Sequence, residues 1–92
     1  MKVTSLHKNQ LVIEHEGVKY FQSYSSVVAR IDKKGNITLS ADWDFSNTTL
    51  RHLYSFLRAH SYLSGNDINK GAIQGLIDKG SISYVSEKSI TI

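Results

Sequence analysis

Cysteine and proline are both absent from the 92 residues of this chain. The lack of cysteine excludes disulfides, thiol nucleophiles and zinc sites of the cysteine type, and it agrees with a reducing, cytoplasmic environment. The lack of proline excludes polyproline II ligand segments. Long apolar runs are also missing, since the longest, such as Leu11–Ile13, have three residues. We therefore expect neither a membrane span nor a signal peptide.

An excess of charge of one sign is missing as well. Eleven Lys and Arg residues against eight Asp and Glu residues give a formal net charge of +3. A charge this small is not typical of an obligate nucleic-acid binder. The apolar fraction of 40% and the charged fraction of 21% are those of an ordinary soluble globule. We predict one domain that spans residues 1–92.

The first half of the chain alternates apolar and polar residues with the period of two that is typical of strands. Gly17 lies between two such segments, where a tight turn needs a positive φ, and Asp32–Asn36 supplies turn residues between two more. Strands are predicted over residues 10–15, 18–24, 26–31 and 37–41, with a late strand over 81–85. The pattern does not decide whether Lys2–Leu6 adds an edge strand.

The period changes to that of a helix near residue 47. Leu50, Leu53, Tyr54 and Leu57 are spaced i, i+3, i+4 and i+7, which predicts a core-facing helix over residues 47–60. A second helix is predicted over 67–79, because Ser64–Asp67 has the form of a capping box and Gly80 is placed to end the helix. The fold class is α+β: an antiparallel sheet of four to five strands with two helices packed on one face. The residues expected in the core are Leu11, Ile13, Val27, Ala29, Ile31, Ile37, Leu39, Trp43, Leu50, Leu53, Leu57, Ile73, Leu76 and Ile77.

Two segments carry a resemblance to a known group of proteins. The run Phe21–Ser26 reads F-Q-S-Y-S-S, and Trp43–Thr49 reads W-D-F-S-N-T-T. With a strand–turn–strand that ends in K-K-G, these resemble a family of small uncharacterised proteins from phages and mobile elements. That family is a domain of unknown function, so the resemblance implies a phage-type accessory protein and a fold rather than an activity.

Catalytic and metal-binding patterns are missing. There is no G-x-S-x-G elbow, no S-x-x-K and no H-E-x-x-H, and Gly71–Gly75 lacks the Lys and Ser or Thr of a phosphate-binding loop. His52 and His60 are eight residues apart, about 12 Å along a helix, so one metal ion cannot join them. We expect no enzyme activity, no catalytic residue, no metal site and no cofactor.

Nucleic-acid binding is one of two functions that the sequence leaves open. Arg51 and Arg58 lie opposite the apolar face of the first helix, where they can contact phosphates along a nucleic-acid backbone. Lys70 lies on the second helix. Two helices followed by a hairpin over residues 81–92 would also form a winged helix–turn–helix.

Protein binding is the other open function, and the one we favour. Phage-type accessory proteins of this size commonly occupy the surface of a host protein, for host takeover or inhibition of a defence system, as the resemblance implies. Exposed tyrosines are typical interface anchors, and the five tyrosines cannot all be core residues. The predicted anchors for a host protein are Tyr20, Tyr24 and Tyr62.

Overall fold

The computed structural model describes residues 1–92 and contains one six-stranded sheet with two helices packed on one of its faces. The strands are β1 (Lys2–His7), β2 (Gln10–His15), β3 (Val18–Ser23), β4 (Ser26–Ile31), β5 (Ile37–Leu39) and β6 (Ser83–Tyr84), and the helices are α1 (Asn47–His60) and α2 (Lys70–Asp78). Strands follow one another in chain order, and all neighbours are antiparallel except the parallel pair β5 and β6. The predicted α+β class is confirmed, with a slightly larger sheet. Neither helix combines the length and the apolar character needed to cross a membrane.

Short turns connect the first five strands, and their residues explain the connections. At the β2–β3 turn, Glu16 and Gly17 have φ values of 53° and 80°, the left-handed conformations of a two-residue hairpin loop. At the β4–β5 turn, Asp32 accepts hydrogen bonds at 2.9 Å from the backbone N–H groups of Lys34 and Asn36. Both turns were predicted from these residues, and both are confirmed.

The two helices differ in how closely they follow the sequence pattern. Helix α1 has the predicted bounds, and the Ser46 hydroxyl caps it by accepting from the Thr49 N–H at 3.1 Å. Helix α2 is shorter than predicted, because the Ser64 side chain makes no cap bond and only a single 3-10 turn follows it. Ile68 then leaves helical geometry, and the Asn69 side chain caps α2 by accepting from the Ala72 N–H.

The main core lies between α1, α2 and the face of the sheet that they cover. The Phe21 ring on β3 stacks against the Phe56 ring on α1, with 5.7 Å between ring centroids. Most residues expected in the core lie there, while Leu50, Leu76 and Ile77 pack against it half-buried. The members of the main core are Val12, Phe21, Val28, Ala29, Ile31, Ile37, Leu39, Trp43, Leu53, Phe56, Leu57, Leu63, Ile68, Ile73 and Ile82.

A β-bulge on β4 changes which residues face the helices. Phe21 pairs with Ala29 while the next residue of β3 pairs with Val27, so Val28 is an extra residue on β4. Val28 consequently joins Ala29 in the main core, and Val27 faces the other side of the sheet. Val27 is therefore buried as predicted, but the expectation that it shares a face with Ala29 and Ile31 was wrong. Ile13 is likewise buried as predicted, but in the second cluster, because its neighbour Val12 is the residue of β2 in the main core. Leu11 is only half-buried and belongs to neither cluster, so its assignment to the core was wrong.

The opposite face of the sheet carries a second, smaller apolar cluster. Residues 85–92, which we call the C-terminal segment, cover it. The buried members of this cluster are Ile13, Tyr20, Val27 and Ile90. The Ile90 N–H donates to the Val27 carbonyl at 2.8 Å, and the Val27 N–H donates to Ser89 Oγ at 2.9 Å. The C-terminal segment therefore lies beside β4 where β5 has already ended. The predicted hairpin over residues 81–92 is wrong, because only Ser83–Tyr84 forms a strand there.

Candidate functional site

The β3–β4 turn and the segment that leads into α1 meet at one edge of the main core. The hydroxyls of Ser23 and Thr49 are 2.8 Å apart, and both residues are buried. Thr49 Oγ1 also lies 3.1 Å from Ser46 Oγ at the helix cap. These contacts fix the position of the β3–β4 turn relative to the start of α1.

Tyr24 occupies a backbone conformation that aromatic residues rarely adopt. Its φ is 56°, in the left-handed region that favours Gly and Asn. Two contacts hold the turn in place: the Tyr24 N–H donates to the Asn9 carbonyl at 2.7 Å, and the Gln22 amide donates to the Tyr24 carbonyl at 3.0 Å. Backbone strain of this kind concentrates at functional positions, so the ring of Tyr24 is a candidate binding group.

Phe45 is the second exposed aromatic residue at this place. It directly precedes the cap residue Ser46, a position where an apolar side chain usually packs against the first turns of the helix. Here the side chain is 67% exposed and its ring meets the Tyr24 ring edge to face, with centroids 6.2 Å apart. The Tyr24 side chain is itself 46% exposed. Two large rings thus share one patch of surface without being buried by the protein itself.

Between these rings and the buried hydroxyls lies a cleft of about 200 Å³, which we call the aromatic cleft. Five of its nine lining residues carry hydroxyls, one of them the phenol of Tyr24, and Val28 from the β4 bulge adds an apolar surface. One carboxylate and one ammonium group, those of Asp42 and Lys88, complete the lining. The lining residues are Ser23, Tyr24, Ser25, Ser26, Val28, Asp42, Phe45, Thr49 and Lys88.

The three predicted protein anchors do not lie together. Tyr24 lines the aromatic cleft, whereas Tyr62 follows α1, is 62% exposed and does not line it. Tyr20 is only 7% exposed, because alternation along β3 turns it to the second apolar cluster, where Ile90 of the C-terminal segment also packs. The assignment of Tyr20 as an exposed anchor was therefore wrong.

The three residues predicted to contact nucleic acid lie on two different helices. Arg51 and Arg58 are both exposed on α1. Lys70 begins α2, and its ammonium group lies 3.6 Å from the Asp44 carboxylate, which partly neutralises it. No three His, Asp or Glu side chains come together in a way that would hold a metal ion.

Two histidines of α1 are held in environments that disfavour their protonated forms. The His52 ring stacks on the His7 ring with 5.3 Å between centroids, and its Nε2 is buried without a hydrogen-bond partner. Burial lowers the pKa of His52 below 6.5, and the charges of Arg51 and His7 lower it further. Burial likewise lowers the pKa of His60, with a contribution from Lys19 that Glu14 opposes.

These histidines predict a loss of stability on mild acidification. Since the pKa values in the folded protein lie below the ordinary 6.5, the unfolded chain binds more protons between those values and about 6.5. The stability is therefore fully present above that range and falls as the pH drops through it. We expect the urea midpoint to decrease from pH 7.5 to pH 5.5, and the decrease to shrink in the His52→Gln, His60→Gln double variant. An equal decrease in both proteins would contradict this assignment.

Sequence reasoning missed Phe45, Asp42 and Lys88 as site residues. Only Phe45 has a local pattern, since it directly precedes the helix cap. That position predicts a buried side chain, which is the opposite of the exposure observed. Asp42 and Lys88 are 46 positions apart, and only the return of the C-terminal segment alongside β4 brings them to one cleft. No periodicity in the sequence encodes that return.

The fold and the cleft together define a small α+β domain with an exposed aromatic surface at the start of its longer helix. A family model described as a family of unknown function (DUF8033) matches residues 1–74, and the chain belongs to this family. The match includes every residue of the aromatic cleft except Lys88. No curated protein and no solved structure matches the chain.

Proposed function

We propose that the protein is a non-catalytic protein-binding module that holds its partner at the aromatic cleft. The observation that carries this proposal is the exposed pair of rings, Tyr24 and Phe45, one of them on a strained turn. Large aromatic side chains that are pre-positioned and surrounded by polar groups supply most of the binding energy in protein interfaces. The resemblance to small phage and mobile-element proteins supports a host protein as the partner.

The lining of the cleft supports a binding role over catalysis. It offers five hydroxyls, one carboxylate and one ammonium group but no histidine or cysteine. Activation of a serine needs a base within hydrogen-bond reach and a group that orients the base. The buried hydroxyls of Ser23 and Thr49 are instead bonded to each other across the two segments, which is the arrangement expected of groups that shape a surface.

The test is capture of a host protein from extract by the immobilised chain, compared with a Tyr24→Asn, Phe45→Ala double variant. Asn is well tolerated at positive φ, so this variant keeps the turn while it removes both rings. Interface anchors contribute about 2 kcal/mol each or more, and 1.4 kcal/mol corresponds to about tenfold in affinity. We expect the double variant to retain less than about a tenth of the captured protein.

Tyr62→Ala is the matched control, because it removes an aromatic ring with 62% exposure that lies outside the cleft. We expect capture by this variant to equal that of the wild type. Equal capture by the double variant would overturn the proposal. Loss of the captured material after nuclease treatment would instead favour the second candidate, nucleic-acid binding through the exposed Arg51 and Arg58 of α1.

A further inference from the structure

The carboxylate of the aromatic cleft, that of Asp42, forms no ion pair within the protein. Asp42 is half-buried, and its side chain has a single polar contact, the Ser26 hydroxyl at 3.5 Å. Its near neighbour Asp44 is paired with Lys70 at 3.6 Å. A partly desolvated carboxylate without a partner gains most from an incoming cation, because charge-assisted hydrogen bonds are stronger than neutral ones.

The aromatic rings beside Asp42 favour the same kind of ligand. A cation over the face of a Tyr or Phe ring is attracted by the negative charge of the π-system, and Arg is the cation most often found there. The guanidinium group is planar and weakly hydrated, so it stacks on aromatic faces more readily than an ammonium group. The hydroxyls of Ser25 and Ser26 add acceptor oxygens for its remaining N–H donors.

Lys88 is the one cationic residue of the lining. Its ammonium group forms no ion pair with Asp42, and the residue is exposed in the C-terminal segment. A long flexible stem allows the ammonium group to remain in water. Lys88 therefore opposes a second cation in the cleft without blocking it, and its removal is expected to strengthen binding of that cation.

We propose that the aromatic cleft binds the side chain of an arginine that the partner protein presents, with the guanidinium between the Asp42 carboxylate and the rings of Tyr24 and Phe45. This assignment rests on the proposed function and names the chemistry of the partner at the cleft. It requires a cationic residue on the partner's contact surface, and it makes Asp42 the residue that selects for it.

A small probe tests the assignment without knowledge of the partner. N-acetyl-arginine methylamide is titrated into the full chain, and binding is followed by backbone amide shifts at Tyr24, Ser25 and Thr49. The uncharged comparison probe is N-acetyl-norleucine methylamide. We expect saturable shifts with the arginine probe at millimolar concentration and at least fivefold weaker binding of the norleucine probe.

Variants of the two acidic residues then assign the charge. Asp42→Asn is expected to weaken binding of the arginine probe at least fivefold, and Lys88→Ala to strengthen it about twofold. Asp44→Asn is the matched control and is expected to bind like the wild type, because Asp44 lies outside the cleft. Thermal unfolding verifies that each variant is folded.

Equal binding of the two probes, an unchanged affinity in Asp42→Asn, or shifts confined to residues outside the cleft would each overturn the arginine assignment. None of these results affects the capture experiment, which tests the protein-binding function without reference to charge. Loss of capture in Asp42→Asn, together with retained capture in Asp44→Asn, would support both the arginine assignment and the protein-binding function.

Discussion

Replacement of Leu53 by Ala is expected to cost about 2–5 kcal/mol of unfolding free energy. Leu53 is fully buried at the middle of α1, in the cluster that joins both helices to the sheet. Removal of its methyl groups leaves a cavity that the rigid sheet can fill only in part. Because domains of this size have a total stability of about 5–14 kcal/mol, a large share of the stability depends on this side chain.

The urea-unfolding midpoint measures this effect directly. Ser55→Ala is the control on the same helix, since Ser55 is exposed and its hydroxyl makes only a long contact of 3.4 Å with the Arg51 carbonyl. We expect its stability to lie within about 0.5 kcal/mol of the wild type. A Leu53→Ala protein as stable as the Ser55→Ala protein would show that α1 packs through another face.

Ile90→Ala is the second substitution with a large expected effect, about 2–4 kcal/mol. The Ile90 side chain is 6% exposed and packs with Ile13, Tyr20 and Val27 on the face that the helices do not cover. Its loss removes the apolar contact that, together with two hydrogen bonds to Val27, holds the C-terminal segment beside β4. The expected value lies below that of Leu53 because the cluster around Ile90 has four buried members, against fifteen in the main core, and relaxes more easily around a cavity.

Ile92→Ala provides the same chemical change two residues later, where the side chain is 47% exposed. We expect this variant to unfold at the wild-type urea concentration. Hydrogen exchange at the Val27 and Ile90 amides gives a second measurement, since both should exchange faster in Ile90→Ala than in Ile92→Ala. Equal exchange in the two variants would mean that the hydrogen bonds to Val27 hold the C-terminal segment without the Ile90 side chain.

Periodicity predicted the helices and strands of this fold better than it predicted which residues of each strand face the helices. The bounds of α1 and the existence of β2 to β5 follow from local patterns, because each of these elements buries one side against the same core. The bulge at Val28 reverses the facing of Val27, and an alternation rule cannot include an extra residue. A strand was predicted over residues 81–85 and forms only at Ser83–Tyr84, and its parallel pairing with β5 was not predicted, because alternation does not indicate which strand is the neighbour.

The candidate site was predicted in part. Tyr24 was chosen because exposed tyrosines are common anchors, and the structure places it at the aromatic cleft. Tyr20 was predicted as an anchor for the same reason, but it is buried. Ile90 of the C-terminal segment packs in the cluster that contains Tyr20, and the sequence pattern does not indicate that contact. Phe45 was not chosen at all. Its place beside the Tyr24 ring is a tertiary contact between residues far apart in sequence, which no local pattern indicates.

The late return of the chain has a consequence for how the protein folds. Strands β1 to β5 form by pairing of sequence neighbours, which closes short loops and is kinetically fast. The bond between Val27 and Ser89 spans 62 positions, so docking of the C-terminal segment is expected to follow formation of the meander. Docking of this segment adds Lys88 to a cleft whose other charged residue is Asp42. In an intermediate whose meander has formed but whose C-terminal segment is undocked, the cleft therefore carries only the negative charge of Asp42, and that charge is offset when folding is complete.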